Sequence, residues 1–578
     1  MTSTQQNQRE RAATRMSVIV PVYNPGAGFD DLIGSLDRQT LPQDEFEVLL
    51  CDDGSDESTR RRLADAAAER PNMRVLSLEH TGWPGTPRNH GIEAARGTYV
   101  YFVDQDDWLF ERALERLCDY GDAHASDVVV GKEVGIGRAL PGRIFQRDIP
   151  RAVLGKDPLL EMLTPHKVFR LSFLRDNGIR FPDGKVRLED HLFVMQAYFA
   201  AKTISILASE PCYAWVKSKG SASAARIDPE TYFPHLETVL DLVEANTTPG
   251  RTRDTLLRHW YRGKILNRLA PRRMARYPDE YRERFLDTVI PIAQRRFGPG
   301  VEAGLPFPLR VRSALLRAGR RDRLLRLAEF EEGIECRADL TSAQWTRGGK
   351  LKLRIRTRFL RDGQDALVFE PREPAGVDAG DAGDAADAAG ARDGADAVGA
   401  EDRADAASGR PVIWRPPAFL DLDALPVEVR DASRDLRRDR VDLLVRDRGD
   451  GTVRSLPGRA QRDVSRVTVI VDPLHAAGAG EVAVEGQLMV RVRHAGWTFD
   501  APLRAAPASL DSLTRSPLLA GRRCDLVVSD DGTVELRRDG AGGALRDTVA
   551  RAARRPIALA RRVVPSRIWR LVSRARRA

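Results

Sequence analysis

Residues 99–108 read YVYFVDQDDW, and how this stretch is read decides the fold. Tyr99, Val100, Tyr101, Phe102 and Val103 have the β-branched and aromatic content, and the length, of a buried strand. Asp104, Asp106 and Asp107 follow at its carboxyl end. Ligands of open α/β sheets bind outside the carboxyl ends of the strands, so acids at that spot face a crevice and not the core. On an extended chain a D-x-D spacing turns Asp104 and Asp106 to one face. Two hard oxygen donors so placed suit Mg2+ or Mn2+, with substrate phosphates and water filling the remaining positions. A diphosphate is the implied substrate. The plainer reading of an isolated D-x-D is a strand ending in a solvated acidic turn, so the decision falls to the flanking sequence.

Upstream, residues 16–22 (MSVIVPV) read as a strand that breaks at Pro21 into the turn-forming Tyr23-Asn24-Pro25-Gly26. Leu32, Ile33 and Leu36 stand at helical spacing in 29–39. A strand at 47–51 ends in Asp52-Asp53-Gly54-Ser55-Asp56, and a helix follows over 58–70. A third strand, 73–78, leads to a glycine-rich loop over 80–89, and a helix opens at Asn89-His90-Gly91. Strands alternating with helices at short spacing predict a parallel sheet with helices on both faces. Asp52 reads most simply as a cap of its own turn.

VIVPVYN, DDGSD, R-N-x-G and VDQDD, in this order over about ninety residues, resemble the inverting family 2 glycosyltransferases of the GT-A nucleotide-sugar fold. The resemblance implies that Pro21, Val22 and Tyr23 line a uridine pocket and that Asp53 binds base or ribose. It also implies that Arg88 faces the diphosphate, and that Asp104 and Asp106 flank the metal, with Asp106 as ligand and Asp104 touching the donor. Guanidinium forks suit phosphate oxygens, and the backbone must come close at Gly82, Gly85 and Gly91. His80 belongs to the same pocket or is merely a loop contact.

Residues 165–193, PHKVFRLSFLRDNGIRFPDGKVRLEDHLF, contain a Glu-Asp pair ahead of apolar residues. Such a pair is commonly a helix N-terminal charge pair favoured by the macrodipole. In the family the acid at this position is the general base, which implies that Asp190 takes the proton of the acceptor hydroxyl, with Glu189 as the alternative. His191 contacts substrate or packs. HKVFRLSFL, GIRFPDG and RLEDHLF more closely resemble the wall teichoic acid enzymes that decorate poly(ribitol phosphate) with N-acetylglucosamine, over residues 16–330. From that resemblance Lys217, Ser221 and Ser223, in the loop 212–226, reach the donor phosphates. The plain alternative is an exposed loop.

Downstream, residues 228–331 read as a helical linker. Its Arg262, Lys264, Arg268, Arg272 and Arg273 either meet a polyanionic acceptor or form a solvated face. After Glu332 the period becomes two, as in 351–359 (LKLRIRTRF), with further strands at 467–472, 481–492, 524–529 and 533–538. β-Sandwich modules are expected there, interrupted by the Ala/Asp/Gly segment 375–409, which is too poor in large apolar groups to fold. The resemblance makes these modules immunoglobulin-like and the assembly a homotrimer. The expected organisation is thus a leader over 1–15, a GT-A domain over 16–227, the linker over 228–331, all-β modules over 332–543 and a tail over 544–578.

The formal charge of +9 first points to nucleic acid, but the arginine-rich tail beyond Arg546 carries the whole excess. Arginine with Ile557, Leu559, Ile568 and Trp569 suits an anionic membrane surface. Five scattered cysteines show no disulfide or zinc pattern. With no signal peptide and no long apolar run in the 578 residues, a cytoplasmic protein peripheral to the inner membrane face is expected. The expectation is a metal-dependent inverting transferase moving a sugar, N-acetylglucosamine by resemblance, from a UDP-sugar in β linkage to a polyol-phosphate polymer. Three other readings stay open. A transferase with another donor or acceptor is separated by a donor panel, and a nucleotide-binding scaffold by donor hydrolysis. A nucleic-acid binder predicts salt-dependent DNA affinity surviving loss of the tail.

Overall fold

The structure, a computed structural model, describes residues 14–217, 226–346, 349–372, 410–449, 451–456, 458–460, 466–471, 485–505 and 524–538. It divides into two compact units, Met1–Arg268 with Tyr277–Gly304, and Leu269–Arg276 with Leu305–Ala578. The leader as far as residue 13, the segment 375–409 and the tail 544–578 lie outside the described residues.

The first unit is built on β1 (Met16–Val22), α1 (Gly28–Asp37), β2 (Phe46–Asp52), α2 (Glu57–Ala68), β3 (Met73–Ser77), α3 (Gly85–Ala94) and β4 (Tyr99–Phe102). Then come β5 (Trp108–Leu109), α4 (Ala113–His124), β6 (Val128–Ile136), β7 (Val168–Arg170), α5 (Leu171–Asp176), α6 (Glu189–Ala200) and β8 (Ile204–Val216). Every residue of β1, β2 and β4 is buried, as continuous apolar runs require of strands covered on both faces.

The strands lie in the order β3-β2-β1-β4-β7-β6-β8-β5. β1 is parallel to both β2 and β4, with Val18 opposite Val48 on one side and Tyr101 on the other. The chain steps outward from β1 to β3 and then returns to the far side of β1 for β4. That reversal makes the crevice beyond β1 and β4 a topological switch point.

Three local expectations are corrected. The sheet is mixed, because β7 runs antiparallel to β4 and β6, and β5 antiparallel to β8. Strand and helix alternate only as far as β4; residues 137–167 carry no α-helix, and without a crossover the returning strand runs antiparallel. Asp104 and Asp106 do not lie on extended chain. β4 ends at Phe102 and the backbone reverses toward β5, with the Asp107 N–H donating to the Asp104 carbonyl at 3.2 Å, a turn in which Asp is at home. Finally, α3 opens at Gly85 and not at Asn89. Pro87 is tolerated because the first-turn N–H groups have no partner within the helix.

Gly91 shows what that helix demands. A Cβ there would stand 2.3 Å from Ile19 Cγ2 and 3.2 Å from Cys51 Sγ, both in fully buried residues. Gly91→Ala is therefore expected to destabilise the protein by about 1–3 kcal/mol through overpacking, less up to about 1 kcal/mol of helix propensity. A urea midpoint equal to or above that of the parent protein would contradict it.

Helices Pro229–Ala245, Arg251–Trp260 and Asp279–Arg296 complete the first unit and bury Phe233, Leu236, Leu240, Trp260, Phe285 and Val289. Between Trp260 and Leu266 the chain forms a π turn, Tyr261–Ile265. The second unit carries helices Phe307–Arg317 and Arg321–Glu332 and is then strand-rich. In Leu351–Arg361 the residues Leu351, Leu353, Ile355, Thr357 and Phe359 are buried in alternation, the expected period of two. Cys51, Cys118, Cys212 and Cys336 carry free thiols. Among the described residues no helix is long and apolar enough to cross a membrane.

Candidate active site

The carboxyl ends of β1, β2 and β4 supply the floor of the site, and one side chain ties two of them together. Gln105, the middle residue of the D-x-D, accepts from the Tyr23 N–H at 2.8 Å and donates to the Tyr23 carbonyl at 3.2 Å. Pro21 and Val22 are buried, whereas Tyr23 is 45 % exposed and stacks on His80 at 4.4 Å. His80 Nδ1 lies 2.7 Å from the Asp53 carbonyl. The Asp53 carboxylate accepts from Thr81 N–H, Thr81 Oγ1 and Gly82 N–H at 2.8, 2.7 and 2.9 Å, so it fastens the 80–82 loop beside the crevice. Asp52 accepts from the Ser55 N–H at 3.0 Å, the capping role its position suggests.

Arg88 reaches the floor from α3. It is 3 % exposed and donates from Nη2 to Asp104 Oδ1 at 2.8 Å. Its Nη1 stands 3.6 Å from Asp190 Oδ1. Arg88 Nε and Nη1 and Asp190 Oδ1 are buried with no hydrogen-bond partner, an uncommon condition for such groups. The next residue, Asn89, clamps Phe181 by bonds of 2.9 Å to both its N–H and its carbonyl. In this way R-N-x-G joins the β4 end to the segment leading into α6.

Asp190 lies in the first turn of α6, after Leu188 in a left-handed conformation (φ 62°). Its neighbour Glu189 is buried. Burial, and then the adjacent Asp190 charge, push the Glu189 carboxyl well above the usual range, toward its protonated form. His191 accepts from Trp260 Nε1 at 3.1 Å on Nδ1, and its Nε2 lies 3.3 Å from Lys264 Nζ. Burial, then Lys264 and His259, hold His191 neutral. Lys264 sits on the π turn, a local form found frequently at functional sites. Burial, then Arg268, lower Lys264 to about 8, opposed by Asp190.

His166, Glu133 and Tyr213 are parts of the site that sequence reasoning missed. His166 bridges Asp104 Oδ2 at 3.1 Å and Glu133 Oε2 at 3.4 Å and stacks on Tyr213 at 4.1 Å. Tyr213 donates to Asp107 Oδ2 at 2.6 Å, and Val216 N–H to Asp107 Oδ1 at 2.7 Å. Burial alone would lower the His166 pKa, but bonds to Asp104 and Glu133 raise it to about 10. Burial would likewise raise Asp104, yet Arg88 and His166 hold it well below the carboxylate range. The fragment PHKVF was the available signal, though nothing in it points to an acid sixty-two residues away.

These contacts bear on a divalent cation. Asp104, Asp107 and His166 bring ligand atoms within 4.8 Å of one another, but the His166 ring is held between Asp104 and Glu133 and Asp107 is engaged on both oxygens. Asp106 is different: it is partly exposed and makes no side-chain hydrogen bond with any described residue. An unclaimed carboxylate next to Asp104 fits a hard cation that keeps phosphate and water in its shell. Lys217 is exposed, its N–H bonded to the Ile136 carbonyl at 2.9 Å. Residues 212–216 belong to β8 and not to a loop, because β6 supplies a parallel partner as far as Val216. Ser221 and Ser223 lie outside the described residues.

A switch-point site of acids and one buried arginine on this sheet defines a GT-A-type domain. Residues 17–175 match the glycosyl transferase family 2 model, and residues 229–328 match the glycosyl transferase TarS linker domain. The chain is 36 % identical over 222 residues to the poly(ribitol-phosphate) beta-N-acetylglucosaminyltransferase TarS of Staphylococcus aureus, covering 38 % of this chain and 39 % of the relative. It is 34 % identical over 235 residues to the poly(ribitol-phosphate) beta-glucosyltransferase of Bacillus spizizenii, covering 40 % and 37 %. The chain thus spans about two fifths of the length of these curated relatives. A crystal structure of S. aureus TarS 1-349 in complex with UDP-GlcNAc matches with a TM-score of 0.50 and 27 % identity, over 61 % of this chain and 98 % of that one.

Proposed function

We propose that the chain transfers a sugar from a UDP-sugar, with inversion, to a hydroxyl of a polyol-phosphate polymer, N-acetylglucosamine being the first donor to test. The observation that carries this reading is the buried Arg88 set between Asp104 and Asp190 at the switch point. Glucose is the second donor, favoured by the name of the Bacillus relative.

In this mechanism Asp190 takes the proton of the acceptor hydroxyl while that oxygen bonds to the sugar C1. The C1–O bond to the diphosphate breaks and UDP leaves with the electron pair, so a sugar held α in the donor becomes β-linked. Arg88, presenting donors not otherwise satisfied, meets the charge growing on the diphosphate. Glu189, protonated beside Asp190, spares the base a second negative neighbour. A divalent cation held by Asp106 beside Asp104 would add positive charge at the departing phosphates. Pro21, Val22 and Tyr23 would line the uridine pocket with Asp53 and His80 closing it, and Lys217, Ser221 and Ser223 would approach the donor phosphates.

On this reading the catalytic, linker and β modules span 16–227, 228–331 and 332–543. The basic tail 544–578 rests on the inner membrane face of the cell, and the β modules assemble a trimer.

The test is UDP release from a panel of UDP- and GDP-sugars, with poly(ribitol phosphate) or poly(glycerol phosphate) as acceptor. Turnover of one UDP-sugar dependent on acceptor supports the reading; UDP binding without turnover of any donor sinks it. Chelation of divalent ions is expected to lower turnover at least about a hundredfold, with recovery on adding Mn2+ or Mg2+. Asp106→Ala should remove that recovery while leaving the fold intact by circular dichroism.

A further inference from the structure

The second unit holds a cleft of about 1360 Å³ that the sugar-transfer chemistry does not use. Its walls come from the short helix Pro271–Met274, the helices Phe307–Arg317 and Arg321–Glu332, and the strands Glu335–Trp345 and Trp497–Ala505. These two strands pair in parallel at Leu503 with Ala338, Arg504 with Asp339 and Ala505 with Leu340. Ahead of those pairs they splay, each bonded to its other neighbour, and the space between them is the cleft.

Seven arginines and four acids line it, and most of this charge cancels in place. Arg312 is paired with Glu331. Arg491 holds Asp500 by bonds of 2.7 and 2.8 Å, Arg272 lies 3.6 Å from Glu332, and Arg337 lies 3.2 Å from Asp339 on its own strand. The remainder is positive. The side chains of Arg273 and Arg493 make no hydrogen bond or ion pair with any described residue, and Arg504 donates to the Asp531 carbonyl at 2.9 Å. Glu335 alone of the lining acids stands against them. Trp497, anchored through Nε1 to Glu331 Oε1 at 2.8 Å, makes part of the wall apolar together with Phe499 and Pro308.

Unspent guanidinium groups beside aromatic and proline surface match one ligand chemistry, a flexible chain of phosphodiesters joined by polyols. The forks take phosphate oxygens and the carbon skeleton lies against the rings. We propose that this cleft is a second binding site for the phosphodiester polymer, gripping a stretch of acceptor in addition to the repeat that reacts at Asp190. The proposal rests on the polyol-phosphate reading above.

The test compares the full chain with its R273Q/R493Q variant on long poly(ribitol phosphate) and on a single ribitol phosphate repeat. The expected result is a KM about tenfold higher for the polymer, with KM for the single repeat and donor hydrolysis unchanged. The Kd for fluorescently labelled polymer should rise in parallel, and its log–log salt slope should fall by about two, one for each lost phosphate contact. Equal effects on both acceptors, no effect on either, or a changed oligomeric state with unchanged polymer Kd would overturn the proposal; the last result would make the cleft a contact between copies. Should the parent protein transfer sugar to no polyol phosphate, the catalytic reading fails, and the labelled-polymer Kd still decides the cleft. Binding weakened in the variant upholds it, and binding unchanged, or absent from the parent, removes it.

Discussion

Asp190→Asn is expected to lower sugar transfer by about 10²–10⁴-fold, the usual worth of a positioned general base, while UDP binds within about twofold of the parent protein. The choice of Asp190 over Glu189 rests on their surroundings. Asp190 turns its buried Oδ1 toward Arg88, yet its side chain is one-third exposed, at 33 %, so an acceptor hydroxyl can reach the other oxygen. Glu189 is buried and held toward its protonated form by burial and by Asp190. Glu189→Gln replaces a neutral acid with a neutral amide and should cost far less than the Asp190 change. The check is acceptor-dependent UDP release, with calorimetric titration of UDP on each variant. If Glu189→Gln were the dead enzyme and Asp190→Asn the active one, the assignment of the base would be reversed.

Arg88→Met should be the most damaging substitution for the molecule as a whole. The side chain fills a buried position over the Phe181 ring and is the cation facing both Asp104 and Asp190. Removing one partner of a buried ion pair leaves uncompensated charge and costs about 3–5 kcal/mol. Asp104 keeps His166 and some solvent, which places the expected loss toward the lower end. Transfer should fall by a further ~10²–10³-fold through loss of charge stabilisation at the diphosphate. Arg88→Lys should restore much of the stability and little of the transfer, because a point charge cannot serve two carboxylates and a phosphate as a fork does. Denaturant midpoints and turnover measured on the same preparations separate the two effects. Lysine restoring turnover in full would show that charge alone is needed.

Much of this site was legible because its parts lie at strand ends and helix starts, where local sequence carries the signal. The β4 run shows its strand in its own residues, whereas Arg88 in R-N-x-G and the Glu189–Asp190 pair take their expected roles from the family resemblance of the short stretches that hold them. What was hidden depends on contacts across the chain. His166 meets Asp104 and Glu133, and Tyr213 meets Asp107, over separations of thirty-three to more than a hundred residues. Nothing local marks such a pairing. β7 is three residues long, too short to show a period, so the antiparallel half of the sheet was invisible as well. The D-x-D turn was misread for another reason: alternation assumes that a strand continues, and here it stops at Phe102.

The contacts of His191 with Trp260 and Lys264 have a practical consequence for anyone wishing to cut the protein into working pieces. The bounds of the matched domains invite scission after residue 175 or near 228. A fragment ending at 175 would lack Asp190 and His191 altogether, and one ending near 228 would lose Trp260 and Lys264, which hold His191 beside Asp190, together with helix Pro229–Ala245, leaving bare the side of α6 on which that helix packs. The smallest portable enzyme therefore extends at least to Gly304, where the first compact unit closes, even though the short helix Pro271–Met274 in the middle of that stretch belongs to the other unit.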